Sequence, residues 1–126
     1  MVRKSWRKFE QEALDSLKRK YPGYDWEEQK VSRTTGYKPD FYGQAKDDHR
    51  DRIIAECKYV KELTNANVDQ VARYNYPFFP QEKVIAIPQN TVVSSDVREH
   101  AYEKNVDIMR LRGKRKTFWD KIRDNI

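Results

Sequence analysis

The sequence is poor in features that would define many protein classes. It has a single cysteine, Cys57, in 126 residues, so no internal disulfide can form. No histidine lies close to Cys57 in sequence, which argues against a paired thiol nucleophile. No run of 18 or more apolar residues occurs, which excludes a helical membrane span. The first residues, Met-Val-Arg-Lys-Ser-Trp-Arg-Lys-Phe-Glu, lack the apolar core of a secretory signal. No internal repeat is visible. Acidic residues are missing from Ile108 to Trp119. These absences lead to the expectation of a soluble, intracellular (cytoplasmic) protein with one domain over residues 1–126.

What is present is charge. Charged residues are 37% of the chain, the formal net charge is +6 and the pI is about 9.4. A basic balance favours a polyanionic partner, because Lys and Arg neutralise phosphates and release counterions. The basic residues are dense in the C-terminal segment 110–126, at Arg110, Arg112, Lys114, Arg115 and Lys116, followed by Phe118 and Trp119. Such a tract reads as a phosphate-binding arm with aromatic anchors. A solvated tail whose aromatics dock on the core or on a second subunit is the other reading.

Periodicity predicts the elements. Trp6, Phe9, Ala13 and Leu17 recur at helical spacing and predict a helix to about Lys20, ended by Tyr21-Pro22-Gly23. Glu10 falls inside that apolar stripe. It is either a carboxylate with work to do or an edge residue paired with Arg7 or Lys18. A weak edge strand follows over 25–31, then a turn to Lys38. A short strand starts at Pro39, where a strand tolerates proline. The polar tip 44–51 carries Asp47, Asp48, His49 and Asp51, which read as a solvated turn rather than a metal cluster. Arg52 to Val60 alternates Ile53, Ala55, Cys57 and Tyr59 with Ile54, Glu56, Lys58 and Val60. Both faces are partly apolar, so this strand is central. Thr64 or Asn65 caps a helix to about Asn75. Lys83–Pro88 is a buried strand, Ser94–Lys104 a short helix, and Val106–Leu111 a last strand. The order αβββαβαβ predicts an α/β fold with a central mixed sheet flanked by helices.

Glu56 and Lys58 share one face of an apolar strand, where buried charges are costly unless paired or bound to metal. A Glu-x-Lys pattern alone says little, since Glu28-Gln29-Lys30 repeats it. Glu56-Cys57-Lys58 differs because Pro39-Asp40 opens the preceding strand, so Asp40 and Glu56 can converge across a hairpin. The plainer reading is an Asp40 that begins a turn beside a Glu56–Lys58 salt bridge.

Pro39-Asp40 followed by Glu56-Cys57-Lys58 resembles the PD-(D/E)xK nuclease superfamily, the restriction-endonuclease-like group that includes archaeal Holliday-junction resolvases. The similarity covers roughly residues 6 to 90 and includes the element order. It implies a Mg²⁺-dependent endodeoxyribonuclease, with Mn²⁺ as a substitute, acting on duplex or branched DNA as a homodimer. It implies Asp40, Glu56 and Glu10 as metal ligands and Asp40, Glu56, Lys58, Glu10 and Gln70 as catalytic residues. Gln70 fits least well, because on the helical wheel it lies opposite Val68 and Ala72. A non-catalytic nucleic-acid-binding module on the same fold is the alternative.

Overall fold

The computed structural model describes residues 2–28, 39–74 and 79–111. The turn expected before Lys38 and the tract Arg112, Lys114, Arg115, Lys116, Phe118 and Trp119 lie outside the described residues. Eight elements follow one another: α1 (Val2–Lys20), β1 (Tyr24–Glu28), β2 (Phe41–Ala45), β3 (Arg52–Cys57), α2 (Asn65–Ala72), β4 (Glu82–Ile87), α3 (Ser95–Glu103) and β5 (Val106–Arg110). This is the predicted order, and the fold is α/β with a mixed sheet.

The α1 helix buries the expected stripe, with Phe9, Ala13 and Leu17 joined by Leu14. Lys18, Arg19 and Lys20 sit in its last turn, where cations complement the helix dipole. Gly23 then takes φ +86°, a conformation open to glycine, and turns the chain into β1.

The five strands lie side by side in chain order, β1-β2-β3-β4-β5. The pairs β1–β2 and β2–β3 are antiparallel, and β3–β4 and β4–β5 are parallel. As expected, β1 is an edge strand and β3 is central. Alternation along β3 feeds two cores. Ile53, Ala55 and Cys57 pack with α1. Ile54 packs with Val68 and Val71 of α2 and Val97 and Ala101 of α3. Burial of side chains such as Ile53, Ile54, Ile85 and Ile87 stabilises the sheet by about 1.5–3 kcal/mol each. Among the described residues, no helix is long and apolar enough to cross a membrane.

The α1 helix starts at Val2, ahead of the expected Trp6, and three further boundaries shift by two or three residues, each beside a hydrogen bond outside the regular pattern. The β2 strand starts at Phe41 rather than Pro39. Pro39 has no N–H to give, and the Asp40 N–H donates to the Glu56 carboxylate at 3.2 Å. The β3 strand stops at Cys57 rather than Val60. Lys58 N still donates to the Ala86 carbonyl at 2.9 Å, but the Val60 carbonyl accepts from Thr91 Oγ1 at 2.6 Å. The α2 helix ends at Ala72 rather than near Asn75. The Tyr74 N–H bonds Val71 O at 3.1 Å, and the Lys83 ammonium occupies the Ala72 carbonyl at 2.8 Å.

Where β1 meets β2, Trp26 lies opposite Gly43. A Cβ on Gly43 would come within 2.8 Å of the Trp26 ring. Gly43→Ala is therefore expected to lower stability by about 1–3 kcal/mol in urea unfolding, as overpacking does. In the double variant with Trp26→Leu, the loss should be smaller than the sum of the two single losses.

Candidate functional site

Register builds the site. Phe41 pairs with Ala55 across β2 and β3, so one step outward Asp40 faces Glu56. The backbone then locks both carboxylates. Asp40 Oδ2 accepts the Cys57 N–H at 2.7 Å, while the Asp40 N–H donates to Glu56 Oε1 at 3.2 Å. Cys57, between Glu56 and Lys58, is 3% exposed and belongs to the α1-side core. Burial pushes its thiol well above the usual range, and Asp40, Glu10 and Glu56 add to the effect. A thiolate nucleophile is excluded on these grounds.

Glu56 is 7% exposed, one of two buried polar or charged residues in the described chain. Burial, then the neighbouring Asp40 carboxylate, pushes its pKa up to about 7. A hydrogen bond from Tyr74 and the Lys58 ammonium oppose the rise. Lys58 Nζ donates to Gln70 Oε1 at 2.5 Å, so the ammonium is held by an amide rather than by an ion pair.

Glu10 approaches from α1. Burial raises its pKa, and Asp40 and Glu28 add to the rise, with Arg7 opposing it. Glu10 therefore senses Asp40, but it stands on the α1 side of the sheet whereas Glu56 turns to Tyr74 on the α2 side. The expected convergence of all three carboxylates is not reached: among the described residues, no three His, Cys, Asp or Glu side chains stand together as a set able to hold a metal. Asp40 and Glu56 remain as a pair of hard oxygen ligands. Such a pair fits Mg²⁺, which is commonly held by one or two carboxylates together with substrate phosphate.

Gln70, the residue the helical wheel disfavoured, is the acceptor for Lys58. Its side of α2 is exposed, and the open end of β3 lies there. Tyr74 was not singled out as a site residue, although its four-residue spacing from Gln70 on one helical face was the available signal. Its hydroxyl bonds Glu56 and its ring is buried.

Arg110, counted in the basic tract, is held by backbone. Its guanidinium donates to the carbonyls of Gln89 and Thr91 at 2.8 and 2.6 Å. Nη1 so clamps the loop after β4. The polar tip behaves as a stitched turn. Asp51 accepts from the Tyr24 hydroxyl at 2.6 Å, Asp48 from the Arg50 N–H at 3.0 Å, and His49 meets Gln44.

No protein-family model and no curated protein matches the sequence. Solved structures do match the fold. A repair endonuclease from Pyrococcus abyssi aligns with TM-score 0.59 at 16% identity, over 83% of this chain and 47% of that one. A structure of EndoMS in complex with double-stranded DNA aligns with TM-score 0.57 at 15% identity, over 85% and 46%. A protein of unknown function aligns with TM-score 0.57 at 10% identity, over 93% and 66%. The likeness is one of fold: a mixed five-stranded sheet flanked by helices. This chain spans less than half the length of either endonuclease.

The raised Glu56 pKa has a thermodynamic consequence. The folded chain binds a proton at Glu56 more tightly than the unfolded chain does, so stability falls as pH rises from the ordinary carboxylate range through about 7. Urea unfolding without divalent cations should show a loss of roughly 3 kcal/mol between pH 5 and pH 8. Glu56→Gln should flatten most of that slope, since it keeps the shape and cannot ionise.

Proposed function

We propose that this chain is a nuclease domain that hydrolyses DNA phosphodiester bonds at Asp40, Glu56 and Lys58. The observation that carries the reading is the facing pair Asp40–Glu56, locked through backbone N–H groups at the open end of the sheet with Lys58 beside it. A proton on Glu56 relieves the pair at low pH, and a bound cation would do so once both carboxylates are ionised.

The metal is Mg²⁺ or Mn²⁺, with Asp40 and Glu56 as its ligands and Glu10 reinforcing the negative field at Asp40. Bound there, it supplies charge neutralisation at the phosphate and a more acidic water. The remaining work falls to the chain. Tyr74 and the Asp40 N–H fix the Glu56 carboxylate so that it meets its ligand in one orientation. Gln70 holds the Lys58 ammonium at the strand end, where it can orient the attacking water and stabilise charge growing on the phosphoryl oxygens. Cys57 serves by its backbone N–H, which orients Asp40. Duplex DNA is the favoured substrate within this class, because one of the fold's solved neighbours is a complex with double-stranded DNA. A homodimer would provide one site for each strand.

One observation favours a second reading, a nucleic-acid-binding module without catalysis: no third metal ligand joins the pair among the described residues. The two readings separate in a single set of measurements. With Mg²⁺ the protein should nick supercoiled plasmid, and Asp40→Asn and Glu56→Gln should abolish the activity. Lys58→Ala should reduce the rate on the order of 10²–10³-fold, and Gln70→Ala about tenfold or more. Mg²⁺ should raise the melting temperature of the wild type and leave that of Asp40→Asn unchanged. Full activity in Asp40→Asn or Lys58→Ala would overturn the assignment. DNA binding without any heat of Mn²⁺ binding in calorimetry would support the module.

A further inference from the structure

An apolar groove opens where the described chain stops. Phe9, Tyr59, Pro88 and Leu111 line it, Lys8 and Glu12 give its rim both signs of charge, and its volume is about 340 Å³. Leu111 is anchored there. Its N–H donates to the Ile87 carbonyl at 2.8 Å, and its side chain is buried in the core on the α1 side. Residues 112–126 therefore leave from the wall of the groove. Tyr59 is held within it by Phe9 at 5.2 Å and Trp6 at 6.2 Å, yet it is 50% exposed. Tilted and edge-on packing fixes the orientation of a ring while leaving apolar area uncovered.

The sequence after Leu111 divides by chemistry. Residues 112–117 read Arg-Gly-Lys-Arg-Lys-Thr, four cations without a carboxylate. From Phe118 the pattern changes. Phe118, Trp119, Ile122 and Ile126 recur at three- and four-residue spacing, which on a helical wheel is one apolar stripe about 100° wide. Asp120, Lys121, Arg123 and Asp124 fall outside it. Such a stripe calls for an apolar surface to cover it. Phe118 is seven residues beyond Leu111, a reach of up to about 25 Å, which is ample for a groove of this size. A tether so short gives the segment an effective concentration on the order of millimolar, which a second molecule in dilute solution does not match. The groove of about 310 Å³ beside Tyr102 and Ile108 is the rival seat. It lies on the α3 face and carries Arg98, Asp107 and Arg110, whereas Leu111 turns its side chain to the α1 face.

We propose that the segment after Leu111 folds back and seats Phe118 and Trp119 in this groove, which closes residues 112–117 into a positively charged loop. Both ends of that loop are then fixed at the carboxyl end of the sheet, the end at which Lys58 leaves β3. Cations on a closed loop lose less freedom on meeting a phosphate than cations on an untethered one. The loop is thus an arm for the DNA backbone. The docking does not depend on the nuclease reading; the arm rests on the chain acting on DNA and adds a place where the backbone is held.

The test uses the full chain carrying 5-fluorotryptophan, whose ¹⁹F resonances report Trp6, Trp26 and Trp119. The Trp119→Phe variant identifies the last by its absence. A nitroxide is attached at Gln11→Cys, exposed on α1 and three residues from Lys8; Cys57 is buried and takes none. The label should broaden Trp119 together with Trp6, its control on the same helix. From Glu99→Cys, exposed on α3, it should leave Trp119 sharp. Trp119 left sharp by Gln11→Cys, or broadened only from Glu99→Cys, overturns the docking. So does broadening in a mixture of fluorinated protein with labelled protein that contains ordinary tryptophan, since the segment would then sit on a second copy. Trp119→Ala keeps every charge, and with Ca²⁺ in place of Mg²⁺ it should bind duplex DNA about 2- to 12-fold more weakly, the cost of ordering one further side chain. Equal binding overturns the arm and spares the docking. Docking with Trp119-dependent binding, but without Mg²⁺-dependent cleavage, upholds both and removes only the nuclease reading.

Discussion

The exchange between Asp40 and the end of β3 is the constraint on which the site depends. One carboxylate accepts from the backbone beside the other, and the backbone of the first donates back. Two like charges are thus fixed by the same groups that hold two strands in register. A slip of one residue between β2 and β3 would move Glu56 to the α1 face and Cys57 to the α2 face. The cores on both sides of β3 forbid that slip, because Ile53, Ile54 and Ala55 are each fully buried. Core packing therefore defends the geometry of a pair that by itself repels. The site opposes stability and the hydrophobic layers on either side offset it, a division common where a protein meets its ligand.

The α2 helix is the second support, and it is held at both ends. Thr64 and Asn67 cap each other reciprocally at its start, and the Lys83 ammonium satisfies the Ala72 carbonyl at its end. Midway, Asp69 meets His100 of α3 at 2.6 Å. The hydrogen bond from His100 holds the Asp69 carboxyl below its usual range. A short helix of eight residues has little stability of its own. These ties let it present Gln70 to Lys58 at a defined distance, and they set the turn that carries Tyr74 to Glu56.

Much of this was legible in the sequence, and the rest was hidden for identifiable reasons. Strict alternation along β3 separates Glu56 from Cys57, and the structure assigns them to opposite faces. The apolar stripe of α1 locates Glu10 near the sheet without saying which side of it Glu56 would occupy, so the approach to Asp40 alone was not foreseen. Gln70 looked misplaced because a helical wheel reports the direction of the core, and this part of the site lies at the solvent-facing end of the sheet. The bonds from Arg110 to the carbonyls of Gln89 and Thr91 were not legible either, because composition registers charge and not partners some twenty residues earlier in sequence. The early end of β3 has the same origin, a side chain, Thr91, competing for a ladder carbonyl.

The strand order also bears on how the molecule assembles. Because each strand lies next to its predecessor in the chain, the sheet can grow by adding one neighbour at a time, with no strand inserted between two already paired. The antiparallel pair β2–β3 closes over residues 46–51, and the parallel strands join through α2 and α3. Asp40 and Glu56 meet across the first hairpin of β2 and β3, sixteen residues apart. Loop-closure entropy for that meeting is small. The repelling pair thus belongs to the most local part of the sheet, while β4 and β5, which shield it, bring contacts of longer range. Burial is the larger cause of the raised Glu56 pKa, so most of the cost of ionising the pair comes with the layers that cover the hairpin and not with the hairpin itself.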